Sequence, residues 1–428
     1  MNFDKSLELH ARAKQILPCA TQTLSKGPDR FPFGAYPIYL DVARGSLVID
    51  VDGNQFVDYI SALGPIILGH DVPAVTNAIR DQLNNGILFS LNNRLEIEVA
   101  EQIIDMVPSA EAVRFVKTGS TACEAAVRCA RAYTKRNILG SSGYHGWSEL
   151  FQAAEIDNRG AVGTSYWARE DFVRIFYNNF AQTRNVIERY NNSIACVIIE
   201  PMLIEAPAPG YLEMIRELCT KYGIVLIFDE VVTAFRFANG GAQEYFGVIP
   251  DLTCLGKAMA NGMPLGAVVG RKDIMQAFEQ CFVSGTYHGE LLSLAAARAT
   301  LNILQKNAVV RHIWDHGNAL ITGFNLAASK IGIPAEAVGY GPVSRQIFKV
   351  GDAKVDNLLT SIWLQETARD GYLFGPIQYP SFSHSATDLT GAIQTFQRSL
   401  LYVDTAWRSG VPESFLDALP IRPLPFRR

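Results

Sequence analysis

"IVLIFDEVVTAFRF", residues 224–237, decides the fold. Ile224 to Phe228 are five apolar residues in succession, and the chain then meets two carboxylates, Asp229 and Glu230. An unbroken apolar run of this length suits a strand covered on both faces, which is the habit of parallel sheets. Ligands of open parallel sheets bind beyond the carboxyl ends of the strands. An acid delivered to that rim needs a cation beside it, and the rest of the sequence must supply one.

Working outward, "IACVIIE" (194–200) repeats the pattern and brings Glu200 to a strand end, and "LGAVVG" (265–270) reads as a further strand. Helical segments alternate with these strands, among them "TACEAAVRCARAYTKR" (121–136) and "YLEMIRELCTKYG" (211–223). The alternation predicts an α/β domain over about 76–300, with a mainly parallel sheet flanked by helices. Residues 1–75 contribute an N-terminal segment in which "GSLVIDVDGNQFVDYI" reads as two strands joined at Asp52-Gly53-Asn54. Residues 301–428 read as a smaller α+β domain, opened by a long helix around "LSLAAARATLNILQKNAVV" and closed by a tail rich in Pro and Arg.

Composition narrows the partners. The 428 residues are 48% hydrophobic and 19% charged, with a formal net charge of -4. Such a chain folds around large cores and offers no basic surface for nucleic acid or an anionic membrane. The seven cysteines are scattered and form no C-x-x-C pair, which suits reduced thiols in a cytoplasm. The seven histidines form no H-E-x-x-H motif, so no protein-held metal is expected. The opening residues are charged throughout, and no window has the roughly 18 apolar residues of a membrane helix.

Two further stretches answer the acid. In "VKTGSTACEAAVRCAR" (116–131), Thr118, Gly119, Ser120 and Thr121 stand immediately before a strongly helical run. Hydroxyls and unpaired amides at a helix N-terminus form an anion site, although Ser and Thr also serve as plain caps. In "DLTCLGKAMANGMPLGAVVG" (251–270), Lys257 follows a short apolar strand and sits among Gly256, Gly262 and Gly266. Burial favours the neutral amine, the form that makes Schiff bases. Asp229, Lys257 and the cradle at 118–121 together describe a pyridoxal 5'-phosphate site. The cofactor's ring nitrogen is the cation that a buried aspartate requires.

On these motifs the chain resembles the class III aminotransferases of fold type I, in the branch of glutamate-1-semialdehyde aminomutase. The resemblance runs from "VIDVDGNQFVDYISALGPIILGH" through "DEVVTAFR" and "GKAMANGMPLGA" to "SGTYHGELLSLAAA". It implies a fold-type I transferase with a mainly parallel seven-stranded sheet and a smaller domain built from both chain ends. It also implies that Lys257 carries the cofactor as a Schiff base and Asp229 meets its ring nitrogen. Val231 would lie under the ring, Tyr144 of "GYHGW" would stack on it, and Glu200 would support the ring hydroxyl. Gly119, Ser120 and Thr121 would hold the phosphate, and Thr286 would reach the phosphate of a neighbouring subunit in a homodimer. His145 and His288 are candidates for supporting positions behind these, while Arg236 is either near the substrate or in a structural ion pair. Tyr144 and Trp147 could equally be core aromatics.

Departures from the aminomutase pattern bear on the substrate. Ser25 of "TQTLSKGPD" stands where that enzyme carries an arginine, and Pro380 of "QYPSFSHS" replaces an acid. Losing a bidentate carboxylate clamp points away from glutamate semialdehyde. "HGELLSL" is similar to relatives that aminate sugars or cyclitols. The expected reaction moves an amino group from L-glutamate or L-glutamine to a polyhydroxylated carbonyl compound, such as an oxidised amino sugar or aminoglycoside. An aminomutase or an epimerase on the same scaffold stays open.

Overall fold

The apolar run at 224–228 is strand, as its composition demands. The computed structural model describes residues 1–153, 161–202 and 204–422, so the end of the Pro- and Arg-rich tail lies outside the described residues. Strands in chain order are β1 (Leu40–Arg44), β2 (Leu47–Asp50), β3 (Gln55–Asp58), β4 (Ala112–Val116), β5 (Ile138–Ser142), β6 (Phe172–Arg174) and β7 (Ile194–Ile199). Then come β8 (Val225–Asp229), β9 (Leu252–Leu255), β10 (Gly266–Gly270), β11 (Ala335–Tyr340), β12 (Val343–Phe348) and β13 (Tyr372–Leu373). The chain divides into two compact units, Pro73–Val310 and the pair of segments Met1–Val72 and Arg311–Arg428.

The Pro73–Val310 unit is built on a seven-stranded sheet in the order β4-β10-β9-β8-β7-β5-β6. The neighbours from β9 through to β6 are parallel, and β10 alone runs against both β9 and β4. Every residue of β7, β8, β9 and β10 is buried, which is why these strands read as continuous apolar runs and not as alternation. β10 is as apolar as its neighbours, so composition could not disclose its reversed direction. The parallel strands bring Ser142, Ile199, Asp229 and Leu255 to one rim, and β4 delivers Val116 to the same side.

Arg136 secures the opposite edge of this unit. Its Nη1 lies 3.0–3.3 Å from the carbonyls of Asn191, Ile194, Tyr222 and Gly223, the last two being groups that the end of the Tyr211–Tyr222 helix leaves unpaired.

The other unit has a four-stranded sheet, β1-β2-β3-β13, with the β2–β3 hairpin turning at the expected Asp52-Gly53-Asn54. Its core centres on Phe324, Trp363, Phe374 and Phe396. The long helix expected around 292–310 is interrupted: one helix ends at Lys306 and the next starts at Val309. Asn307 adopts an extended conformation, and both its amide and its Nδ2 donate to the Ile303 carbonyl. A short amide side chain competing for backbone carbonyls ends the helix there. No helix among the described residues is long and apolar enough to cross a membrane.

A knot of histidines lies in this second core. His316 Nε2 is 3.0 Å from the Tyr59 hydroxyl, and His384 Nδ1 accepts from the Ser381 amide and hydroxyl. Burial lowers the His316 pKa to about 3, helped by His384 and His312, and lowers that of His384 to about 4 against the pull of Asp58 and Asp388. Both are neutral in the fold, while in the unfolded chain each takes up a proton near its ordinary 6.5. The unfolded state therefore binds more protons below that value. Stability is complete above it and falls as pH drops towards 4, by several kcal/mol on the order of 1.4 per pKa unit. Thermal midpoints taken from pH 7.5 to pH 4.5 should show this loss, with a shallower slope in His316→Gln. A flat profile would remove the histidines from the account.

Candidate active site

Val231 is the hinge on which the site is assembled. A Cβ placed on Gly119 would lie 2.7 Å from Val231 Cγ1, and one on Gly256 would lie 3.3 Å from the same atom. The start of the Gly119–Thr134 helix, the end of β8 and the residue before Lys257 thus meet around one side chain. Three stretches far apart in sequence converge because each follows a neighbouring strand to the same rim.

The helix start has the geometry of an anion cradle. Thr118 is the N-cap, and its hydroxyl accepts the Thr121 amide at 3.1 Å. The amides of Gly119 and Ser120, the first of the helix, have no intrahelical acceptor. Thr121 is committed differently, because its own hydroxyl also lies 2.9 Å from that of Thr118. Gly146 closes over the cradle at φ 109°, where a Cβ would fall 2.1 Å from Ser120 Oγ. Only glycine permits that approach.

Asp229 is 6% exposed. Its Oδ1 accepts the Val231 amide at 3.1 Å, and its Oδ2 lies 2.8 Å from His145 Nδ1. His145 Nε2 is 3.1 Å from the Ser142 carbonyl, which places the imidazole between β5 and β8. Glu200 Oε2 accepts the Tyr144 amide at 2.9 Å. Burial raises the Glu200 pKa, Asp229 adds to that, and His145, the Tyr144 amide and Lys257 oppose it. Two acids, an imidazole and the lysine thus share one electrostatic field.

Lys257 opens a 3-10 turn, Lys257–Ala260, with φ 36°. A left-handed lysine costs of order 1–2 kcal/mol and persists only where its surroundings impose it, a cost that gathers at functional sites. Tyr144 is 58% exposed and Trp147 79%, so neither is a core aromatic. Thr286 is exposed, and among the described residues no hydrogen bond joins it to the other site positions. Arg236 is fully buried.

Glu230 completes the reading of the paired acids, and its role was not legible in sequence. It is fully buried and turned away from the rim. Its carboxylate accepts the amides of Ala242 and Gln243, the Gln243 side chain and the Thr233 hydroxyl. Asp229 stays at the rim, and Glu230 anchors the loop that returns the chain to β9. Cys123 also escaped notice: its Sγ lies 3.4 Å from Asp229 Oδ2, four residues beyond Gly119 and so on the same helix face. That spacing was the only available signal.

The residues present fit pyridoxal phosphate: an amide cradle for its phosphate, an aspartate for its ring nitrogen and a lysine for its aldehyde. Comparisons with known proteins agree. The class-III aminotransferase family model matches residues 33–341. The chain is 37% identical to the glutamate-1-semialdehyde 2,1-aminomutase of Syntrophobacter fumaroxidans, over 92% of this chain and 96% of that protein. It is 31% identical to the 3-aminobutyryl-CoA aminotransferase of Cloacimonas acidaminovorans, over 94% and 98%. Among solved structures, an omega-transaminase from Sphaerobacter thermophilus is 26% identical with a TM-score of 0.86, over 93% of this chain and 98% of that one. A transaminase with bound pyridoxal phosphate is 27% identical with a TM-score of 0.88, over 95% and 100%. The chain belongs to the class III aminotransferases and is a pyridoxal 5'-phosphate-dependent enzyme of fold type I.

Proposed function

We propose that this enzyme transfers an amino group from an amino-acid donor, L-glutamate or L-glutamine, to the carbonyl of a polyhydroxylated acceptor such as an oxidised amino sugar or aminoglycoside. The meeting of Gly119, Val231 and Gly256 carries the transamination part of this reading, since it brings the helix start, the end of β8 and the residue before Lys257 together. The bound cofactor supplies an electron sink that makes the donor's Cα–H acidic. Lys257 then takes the proton from Cα and returns it elsewhere, as general base and acid. Asp229 would balance the ring nitrogen's charge, the Gly119 and Ser120 amides would hold the phosphate, and Tyr144 would cover the ring. Thr121 lends its hydroxyl dipole to the cradle through Thr118. Glu200 fixes the Tyr144 backbone.

For the acceptor, support comes from Ser25 in place of a carboxylate-binding arginine and from Trp147, whose exposed ring follows Gly146 directly. An indole face suits the C–H surface of a sugar ring. Support for a homodimer with Thr286 shared between subunits comes from the largely exposed Leu91, Phe282 and Tyr287, apolar surface of the kind that marks an interface.

The relatives named as glutamate-1-semialdehyde aminomutases favour a second reading, in which that compound rearranges with no separate keto acid released. One experiment separates the two. L-Glutamate or L-glutamine added to the loaded protein should bleach its visible band and release one keto acid per site, and an oxidised amino sugar should restore the band. Turnover of glutamate semialdehyde with no keto acid would establish the aminomutase instead. A band that neither donor bleaches would move an epimerase forward.

A further inference from the structure

The Asp229 carboxylate is held unequally. Oδ1 has one donor, the Val231 amide, whereas Oδ2 faces both His145 Nδ1 at 2.8 Å and Cys123 Sγ at 3.4 Å. The Ser142 carbonyl can only accept, so His145 Nε2 carries a hydrogen. Nδ1 takes up one side of Oδ2 at 2.8 Å. The remaining donor on that oxygen is the Cys123 thiol.

That thiol keeps its hydrogen. Burial, the adjoining Cys254 thiol and the charge on Asp229 all push its ionisation well above the ordinary range. Cys254 is the register partner of Asp229 across the β8–β9 ladder, and its thiol adjoins that of Cys123. The titratable groups around the carboxylate are His145, Cys123, Cys254, Glu200 and Lys257. Among these, Cys123 stands on the helix that also offers the cradle amides, so one rigid element addresses both ends of the cofactor.

We infer that Cys123 is a positioning residue for the reaction: its S–H donates to Asp229 Oδ2 and, through that carboxylate, sets how much positive charge the cofactor's ring nitrogen retains. This rests on the reading that Asp229 meets that nitrogen. A hydrogen bond to an anion spreads its charge. Without the thiol, the carboxylate would be less firmly placed and its charge more concentrated on Oδ2, so a cationic linkage at Lys257 would hold its proton to higher pH.

The test uses the loaded full-length enzyme and three variants, Cys123→Ala, Cys123→Ser and Cys123→Val. The readouts are the pH midpoint of the cofactor's visible absorption and the rate at which cofactor dissociates. In Cys123→Ala the midpoint should rise by about half a unit and dissociation should quicken about threefold, the scale of one weak hydrogen bond. Serine, which keeps a donor, should restore both, and valine, which fills the space without one, should restore neither. Rescue by valine as well as serine, or an unchanged midpoint in alanine, would reduce Cys123 to packing and overturn the inference. A wild-type chain with no visible band would remove the cofactor reading itself, and the role of Cys123 with it.

Discussion

Lys257→Ala is expected to lower turnover by roughly 10^4-fold or more, because it removes both the attachment amine and the acid–base group. The fold should survive. Lys257 is only half-buried and its backbone is already left-handed, so alanine inherits the same strain without losing core contacts. The loaded variant should retain cofactor on the Gly119 and Ser120 amides and Asp229, but its spectrum should be that of the free aldehyde. Lys257→Arg separates charge from chemistry: it keeps the cation and loses the linkage, so it should fail equally. Single-turnover assays with L-glutamate, with and without added small amines, measure the loss. Rates within tenfold of wild type in either variant would take Lys257 out of the mechanism.

Much of this site could be read in sequence because its parts are local. A strand that ends in an acid, a helix that starts on Gly-Ser-Thr and a lysine among glycines each announce themselves within a dozen residues. What escaped depends on register between distant strands. Cys254 faces Asp229 through the β8–β9 ladder, which no spacing announces, and Cys123 reaches the same carboxylate from a helix, hinted at only by its place four residues beyond Gly119. Glu230 adjoins Asp229 in sequence, yet β8 ends at Asp229 and the next side chain leads instead to the Ala242 and Gln243 amides. β10 was legible as a strand but not as a reversed one, because burial on both faces erases the pattern that distinguishes directions. In the other unit, Ser61, Ala62 and Leu63 all have positive φ, a run that no residue type there foretells. It is held by Asp58 Oδ1, which accepts the Ile60 and Ser61 amides, a tertiary cause outside the reach of propensity.

Asp229→Asn tests the electrostatic core of the argument. The carboxylate sits almost wholly out of water, where a fixed charge acts on its partner far more strongly than in solvent. Asparagine keeps the shape and loses the charge, so the ring nitrogen would no longer be held as a cation and proton removal from the donor should slow by about 10^2- to 10^3-fold. Binding of the cofactor should weaken less, since the phosphate amides and Lys257 are untouched. Two consequences separate this from simple damage. Asparagine leaves an atom of the same size 2.8 Å from His145 Nδ1, so thermal stability should stay near that of wild type. Asp229→Glu, which restores the charge at a displaced position, should recover part of the rate but disturb the Val231 amide contact at 3.1 Å. A primary isotope effect on the Cα–H step that grows in Asp229→Asn would locate the loss in proton transfer. An unchanged rate, or a loss shared equally by the glutamate variant, would mean that the aspartate shapes the pocket and does not stabilise charge.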